Sequence, residues 1–312
     1  MVTRITAVRR IVTAAFRPLR GRDLALHAAA VTFYGGIAVV PVALLAIWLT
    51  GLVVGADGVR DLTGYTVQAL PDAIGANRAL AALIEAGLHL SPLFALASLL
   101  PATLYGEGLR RAFVSLRDPG EALVGWRGRL LVLPLFAAAP ALLLSLLMAL
   151  PLASRLWLRG GWASVAGVVL SFLAAWLVLT PVVIWLYRAV APGTPQWLAS
   201  VSVGSFTAAN LSGFLHGAVL FCSFPLDLGV PFGGFTEIGA AVAVGLWLYL
   251  FHVIVLAGYA ATWQLSHWLD GREGGPRPPI GQLWRRAGRA PRCDSPTTGE
   301  ISTGLPHGNA ST

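Results

Sequence analysis

Six stretches of the chain are almost free of charge: Val31–Val54, Leu90–Tyr105, Leu130–Leu152, Trp162–Tyr187, Ala199–Phe224 and Phe235–Trp263. Crossing ~30 Å of hydrocarbon takes roughly 20 helical residues at about 1.5 Å of rise each. Five stretches reach that length and Leu90–Tyr105 falls short of it, so its ends are the least defined. The pattern predicts an all-α polytopic membrane protein, a bundle of about six transmembrane helices.

The polar intervals divide the rest. In residues 1–30, Ile5, Val8, Val12, Phe16 and Leu19 recur at helical spacing with arginines on the other face, which suits a helix lying on an anionic inner leaflet. A plain topogenic tail is the alternative. Between the first two stretches, Asp57–His89 mixes Asp57, Asp61, Asp72 and Glu85 with Leu62, Val67, Leu70, Leu80 and Leu83, the pattern of two short amphipathic helices broken at Pro71. Residues 31–263 form the transmembrane domain, and 264–312 read as a disordered tail rich in Arg, Pro and Gly.

Charge supplies the orientation. The chain has no lysine, and 18 of its 22 arginines fall in the N-terminal segment, the second and fourth intervals and the tail, leaving Arg60, Arg78, Arg155 and Arg159 for the other side. By the positive-inside rule both termini are cytoplasmic, which requires an even number of spans. The net charge of +8 is thereby accounted for without a nucleic-acid partner. With 56% hydrophobic and 12% charged residues, a water-soluble surface is excluded. The first apolar stretch is too long, and lacks the small-residue cleavage pattern, for a signal peptide; it is expected to stay attached as a span. Cys222 and Cys293 are too few for a disulfide framework or a thiol metal site.

Three segments carry a family resemblance. His27–Pro41 reads His-Ala-Ala-Ala-Val-Thr-Phe-Tyr-Gly-Gly-Ile-Ala-Val-Val-Pro, Tyr105–Phe113 reads Tyr-Gly-Glu-Gly-Leu-Arg-Arg-Ala-Phe and is followed by Trp126-Arg127 and Arg129, and Phe235–Gly258 contains Phe-Thr-Glu-Ile-Gly-Ala and then Leu246-Trp-Leu-Tyr249. Their order and spacing resemble the YihY/BrkB family of six-helix bacterial membrane proteins, formerly mislabelled ribonuclease BN. Glu237 stands where that family usually has a small hydroxyl residue. The resemblance implies a multi-pass protein of the bacterial plasma (inner) membrane, linked to envelope integrity and to movement of lipids or small solutes.

Ionisable groups in a membrane are costly unless paired or hydrated, so the few present are the candidate sites. His216 and Asn210 lie on the fifth stretch, Tyr249 and His252 on one face of the sixth. If these faces meet, Asn210, His216, Tyr249 and His252 line a polar pathway; hydrogen bonding between helices is the other role open to them. Glu107 precedes Arg110 and Arg111 by three and four residues, the spacing of a surface ion pair or a cytoplasmic gate. Asp227 and Glu237 flank the glycine-rich turn Gly229–Gly234, a candidate outer vestibule or an ordinary connecting loop. Pro41, Pro134, Pro140 and Pro181 interrupt spans, and Gly213-x-x-x-Gly217 permits close helix approach within one chain or in a homo-oligomer.

No metal-ligand cluster, nucleophile motif or phosphate-binding loop is present in the sequence, so neither an enzyme nor a cofactor is expected. The partners expected are membrane lipids and a small solute or ion. Two functions follow: a transporter of lipid or small solute, or a non-catalytic envelope-integrity scaffold that binds lipid or partner proteins.

Overall fold

The computed structural model describes residues 24–69, 76–117, 125–224 and 228–271, and these are helical almost throughout. Among these residues seven α-helices follow one another: α1 (Leu24–Ala69), α2 (Ala76–Leu88), α3 (Pro92–Arg117), α4 (Gly125–Leu158), α5 (Gly161–Trp185), α6 (Trp197–Ser223) and α7 (Thr236–Asp270). A π-helical turn, Leu186–Val190, extends α5, and a 3-10 turn, Val230–Phe232, precedes α7. The N-terminal segment, Pro71, Asp227 and the tail beyond Gly271 lie outside the described residues.

The long helices owe their form to apolar side chains on all sides, the pattern of helices whose surroundings are not water. Phe33, Val39, Leu52, Phe94, Leu96, Leu177, Leu220 and Val244 are among many large apolar residues left exposed. Among the described residues, five segments are long and apolar enough to cross a membrane: Leu24–Val54, Trp126–Ala149, Gly161–Val190, Trp197–Phe221 and Thr236–Asp270. The second expected span falls within α3, whose 26 residues extend about 39 Å. It is long enough, but Glu107, Arg110, Arg111 and Arg117 make its second half too polar to join the five by composition.

Each helix packs on its neighbour in the cyclic order α1, α3, α4, α5, α6, α7 and back to α1. The largest core cluster joins five of them through Ala28 and Val31 of α1, Leu109 and Phe113 of α3, Val183 and Tyr187 at the end of α5, Leu211 of α6 and Leu256 and Tyr259 of α7. A smaller cluster sets Leu45 of α1 and Ala95 and Ala102 of α3 against Val132 and Phe136 of α4. At the far end, α1 breaks at Gly55 (φ 79°, ψ 162°), a conformation open to glycine at little cost, and continues as an arm to Ala69. Helix α2 folds back on this arm, with Ile84 against Ile47 and Val59, and Arg60 grips Glu85 through Nε (2.8 Å) and Nη2 (2.9 Å). The two amphipathic helices expected around Pro71 are therefore present on either side of residues 70–75.

Where no hydrophobic effect drives helices together in lipid, close packing of small residues matters more. Among the described residues, the closest backbone-to-backbone approach of two helices is between α3 and α4, where a methyl group at Gly106 would collide with the Gly128 carbonyl oxygen. Gly213 and Gly217, the pair singled out by spacing, instead make ordinary contacts, 3.7 Å to Phe172 and 3.8 Å to Trp247. Gly106→Ala is expected to destabilise the protein by about 1–3 kcal/mol, as overpacking does. Gly36→Ala, with nothing within 4 Å of the added carbon, is expected to be neutral or slightly stabilising. Thermal unfolding of the two variants in detergent is the check.

Candidate functional site

Four consecutive residues of α3 each meet a different partner. Tyr105 reaches α7, with its hydroxyl 3.0 Å from His252 Nε2. Gly106 lies against Gly128 of α4. Glu107 pairs with Arg111 of its own helix and with Arg129 of α4, the latter at 2.6 Å from Nε. Gly108 is covered by the ring of Tyr34 on α1, which a methyl group there would approach to 2.5 Å. Gly106 thus lets α4 come close enough for Arg129 to reach the carboxylate, and Gly108 makes room for the Tyr34 ring of α1.

His252 is fully buried at the meeting point of α1, α3 and α7. Its Nδ1 lies 3.1 Å from the Thr32 hydroxyl, which also donates to the Ala28 carbonyl at 2.8 Å. One neutral tautomer satisfies the whole set: Tyr105 O–H donates to Nε2, Nδ1–H donates to Thr32 and Thr32 donates to the Ala28 carbonyl. This assignment follows from the network, since a carbonyl only accepts. Gly35 makes room for the ring, as an added carbon there would stand 3.1 Å from its Cε1.

Glu107 is 5% exposed and lies past the expected span Leu90–Tyr105. Burial pushes its carboxyl upward, but the Arg129 hydrogen bond and the charge of Arg111 outweigh this and hold it below the usual carboxylate range. Arg110, expected beside Glu107, turns away from it: its Nη1 donates to the Val190 carbonyl at 2.7 Å and closes the π turn. The cause is geometric. The i,i+4 residue, Arg111, lies over the carboxylate, whereas the i,i+3 residue faces α5, so the second guanidinium comes from α4. Around this turn Tyr187, Tyr259 and Phe113 stack with ring centroids 4.4–6.2 Å apart, and the Tyr187 hydroxyl donates to the Val255 carbonyl at 2.8 Å.

The structure does not bring His216 and His252 together. His216 belongs to the α5–α6 seam, where Nδ1 donates to the Ser212 carbonyl (2.8 Å) and Nε2 meets the Ser171 hydroxyl (2.9 Å). Ser212 donates to the Phe172 carbonyl at 2.8 Å and Trp176 Nε1 to the Ser205 carbonyl at 2.9 Å, so this seam is a series of interhelical hydrogen bonds. Asn210 is exposed and donates back to the Phe206 carbonyl of its own helix. Tyr249 packs, half-buried, against the main core. Asn210, His216, Tyr249 and His252 are therefore not gathered on one face, because α6 turns His216 toward α5 and α7 turns His252 toward α1 and α3. Glu237 is exposed in the first turn of α7, where a negative charge suits the helix dipole. Behind it Gly239 lies against the Leu228 carbonyl, so the glycine of the Phe-Thr-Glu-Ile-Gly-Ala segment serves a close backbone approach.

Thr32 and Tyr105 are the His252 partners that sequence reasoning did not assign, and Arg129 is a residue it did not pair with Glu107. Their signals are faint: Thr32 stands three residues before Gly35 on α1, and Gly128-Arg129 mirrors Gly106-Glu107 as a small residue beside a charge.

The family model described as virulence factor BrkB matches residues 15–279, which contain every helix described above. No curated protein and no solved structure matches the chain.

The depressed Glu107 carboxyl fixes the sign of a pH effect. Its ion pairs contribute fully above the ordinary carboxylate pKa and are lost as the pH falls through the lower folded value. The thermal midpoint is expected to drop on acidification below about pH 4, and Glu107→Gln, less stable at neutral pH, is expected to flatten that part of the profile. Midpoints measured across the acid range for both proteins are the check.

Proposed function

The chain belongs to the family of virulence factor BrkB, and on that premise we propose that it is a transporter of lipid or small solute. It crosses the bacterial plasma membrane six times with both termini in the cytoplasm. Support for the sixth crossing comes from the register of α3 on α1: Gly108 against Tyr34, Tyr105 beside Gly35 and Ala95 in the cluster of Leu45 keep the two helices antiparallel at one depth. The reading assigns no enzymatic activity.

The observation that carries the proposal is the placement of His252. An ionisable side chain buried deep between membrane helices is a functional candidate by default, because an apolar residue would fill the space without the cost of desolvating a polar ring. Its bonds to Thr32 and Tyr105 are also the bonds that separation of α7 from α1 and α3 would break. Opening the junction would expose the only buried histidine among the described residues. The scaffold reading draws on a different observation, that every member of the same network is already satisfied, as a static fastening would be.

Flux into proteoliposomes separates the two. With matched folding, His252→Gln is expected to reduce protein-dependent flux of a lipid or solute toward the protein-free rate. His216→Gln, on the separate α5–α6 seam, is expected to retain it. No flux from the unmodified protein across a broad panel of lipids and solutes would assign the chain to the scaffold role.

A further inference from the structure

We infer that Arg111 and Arg129 form a binding site for the headgroup of an anionic phospholipid at the end of the α3–α4 pair. The inference deepens the transport reading by naming a lipid class and rests on the membrane placement that reading assumes. Each oxygen of Glu107 is taken by one of the two guanidiniums, so the triad keeps one excess positive charge. That charge is directional. Glu107 is almost wholly buried, while the side chains of Arg111 and Arg129 are 56% and 37% exposed.

The carboxylate acts as the floor of the site. It engages Arg111 through Nη2 and Arg129 through Nε, and the exposed parts of both forks present their other donors on the outer side. A guanidinium has five N–H donors in a planar fork that matches phosphate oxygens. Two forks fixed on one carboxylate are held close together without the rotamer entropy that free arginines would lose on binding. An ion pair serving only to join the helices would be satisfied with a single guanidinium.

The surroundings favour a lipid over a soluble anion. Trp126 is three residues before Arg129 on α4, on the same side of the helix, and is 68% exposed. Indoles in such positions settle at the headgroup level of a bilayer. Leu130, next along the chain, is 50% exposed, so apolar surface borders the basic forks. Arg127, also exposed, adds positive charge to the same end of α4.

The test is equilibrium binding of phosphatidylglycerol to the full chain in zwitterionic micelles, with retained lipid counted by native mass spectrometry. Arg111→Gln is expected to weaken binding about fivefold, the equivalent of about 1 kcal/mol for one basic residue at a membrane surface. Arg111→Lys, which keeps the charge and loses the fork, is expected to fall between the two, and Arg159→Gln to bind as the unmodified protein does. Arg111→Gln leaves the Glu107–Arg129 pair in place, so it keeps the test usable if Arg129 variants fail to fold. Unchanged binding in Arg111→Gln, equal binding of phosphatidylcholine, or displacement of the lipid by millimolar inorganic phosphate would each overturn the inference. Because no flux is measured, binding without transport would overturn the transport reading alone, and transport without selective binding would overturn this one alone.

Discussion

The close approach of α3 to α4 at Gly106 and Gly128 is the contact on which the rest of the bundle depends. With side chains absent on both faces, the backbones meet, and the carboxylate one residue along α3 comes within reach of Arg129. The same turn of α3 delivers Tyr105 to His252 and Gly108 to Tyr34, so its position relative to α1 and α7 is set at the same time. A single helical turn thereby fixes three interfaces, each by a different kind of contact: an ion pair, a hydrogen bond and ring packing.

This economy follows from the solvent. Lipid is as apolar as leucine, so burying leucine between helices gains little, and specificity must come from fit and from polar groups that have nowhere else to go. The bundle uses both, in separate places. Interhelical hydrogen bonds run along the α5–α6 seam at Ser171, Ser212 and His216, while α1, α3 and α7 converge on His252. Two polar layers that do not touch make a fold in which one can loosen while the other holds. The transport reading requires such a division, with the α5–α6 seam as the fixed part and the His252 junction as the part that moves.

Much of this architecture was legible in the sequence because it depends on local composition. Apolar stretches predict the long helices, the mixed pattern of Asp57–His89 predicts the arm and the helix that folds back on it, and Tyr-Gly-Glu-Gly-Leu-Arg-Arg marks the turn where chemistry concentrates. The helical pattern left α3 the most uncertain, since its short apolar run gives way to charges that pair on folding. Pairings across helices were not legible. Nothing in the spacing of Glu107, Arg110 and Arg111 reveals that α4 supplies the second guanidinium, and His216 and His252 share a composition without sharing an interface. Helix rotation decides these matters, and rotation is set by packing against neighbours that are distant in sequence. For the same reason Gly213-x-x-x-Gly217 outranked Gly106 and Gly128 by motif, although only the latter pair brings backbones into contact.

A double-mutant cycle between Tyr105 and His252 tests the central claim most directly, with stability measured for Tyr105→Phe, His252→Gln and the double variant in detergent. If the junction is one cooperative unit, the two losses are non-additive, with a coupling of about 1 kcal/mol or more. Additive losses within about 0.3 kcal/mol would mean that the two side chains act independently, and would contradict an account in which α3 locks α7 through that bond.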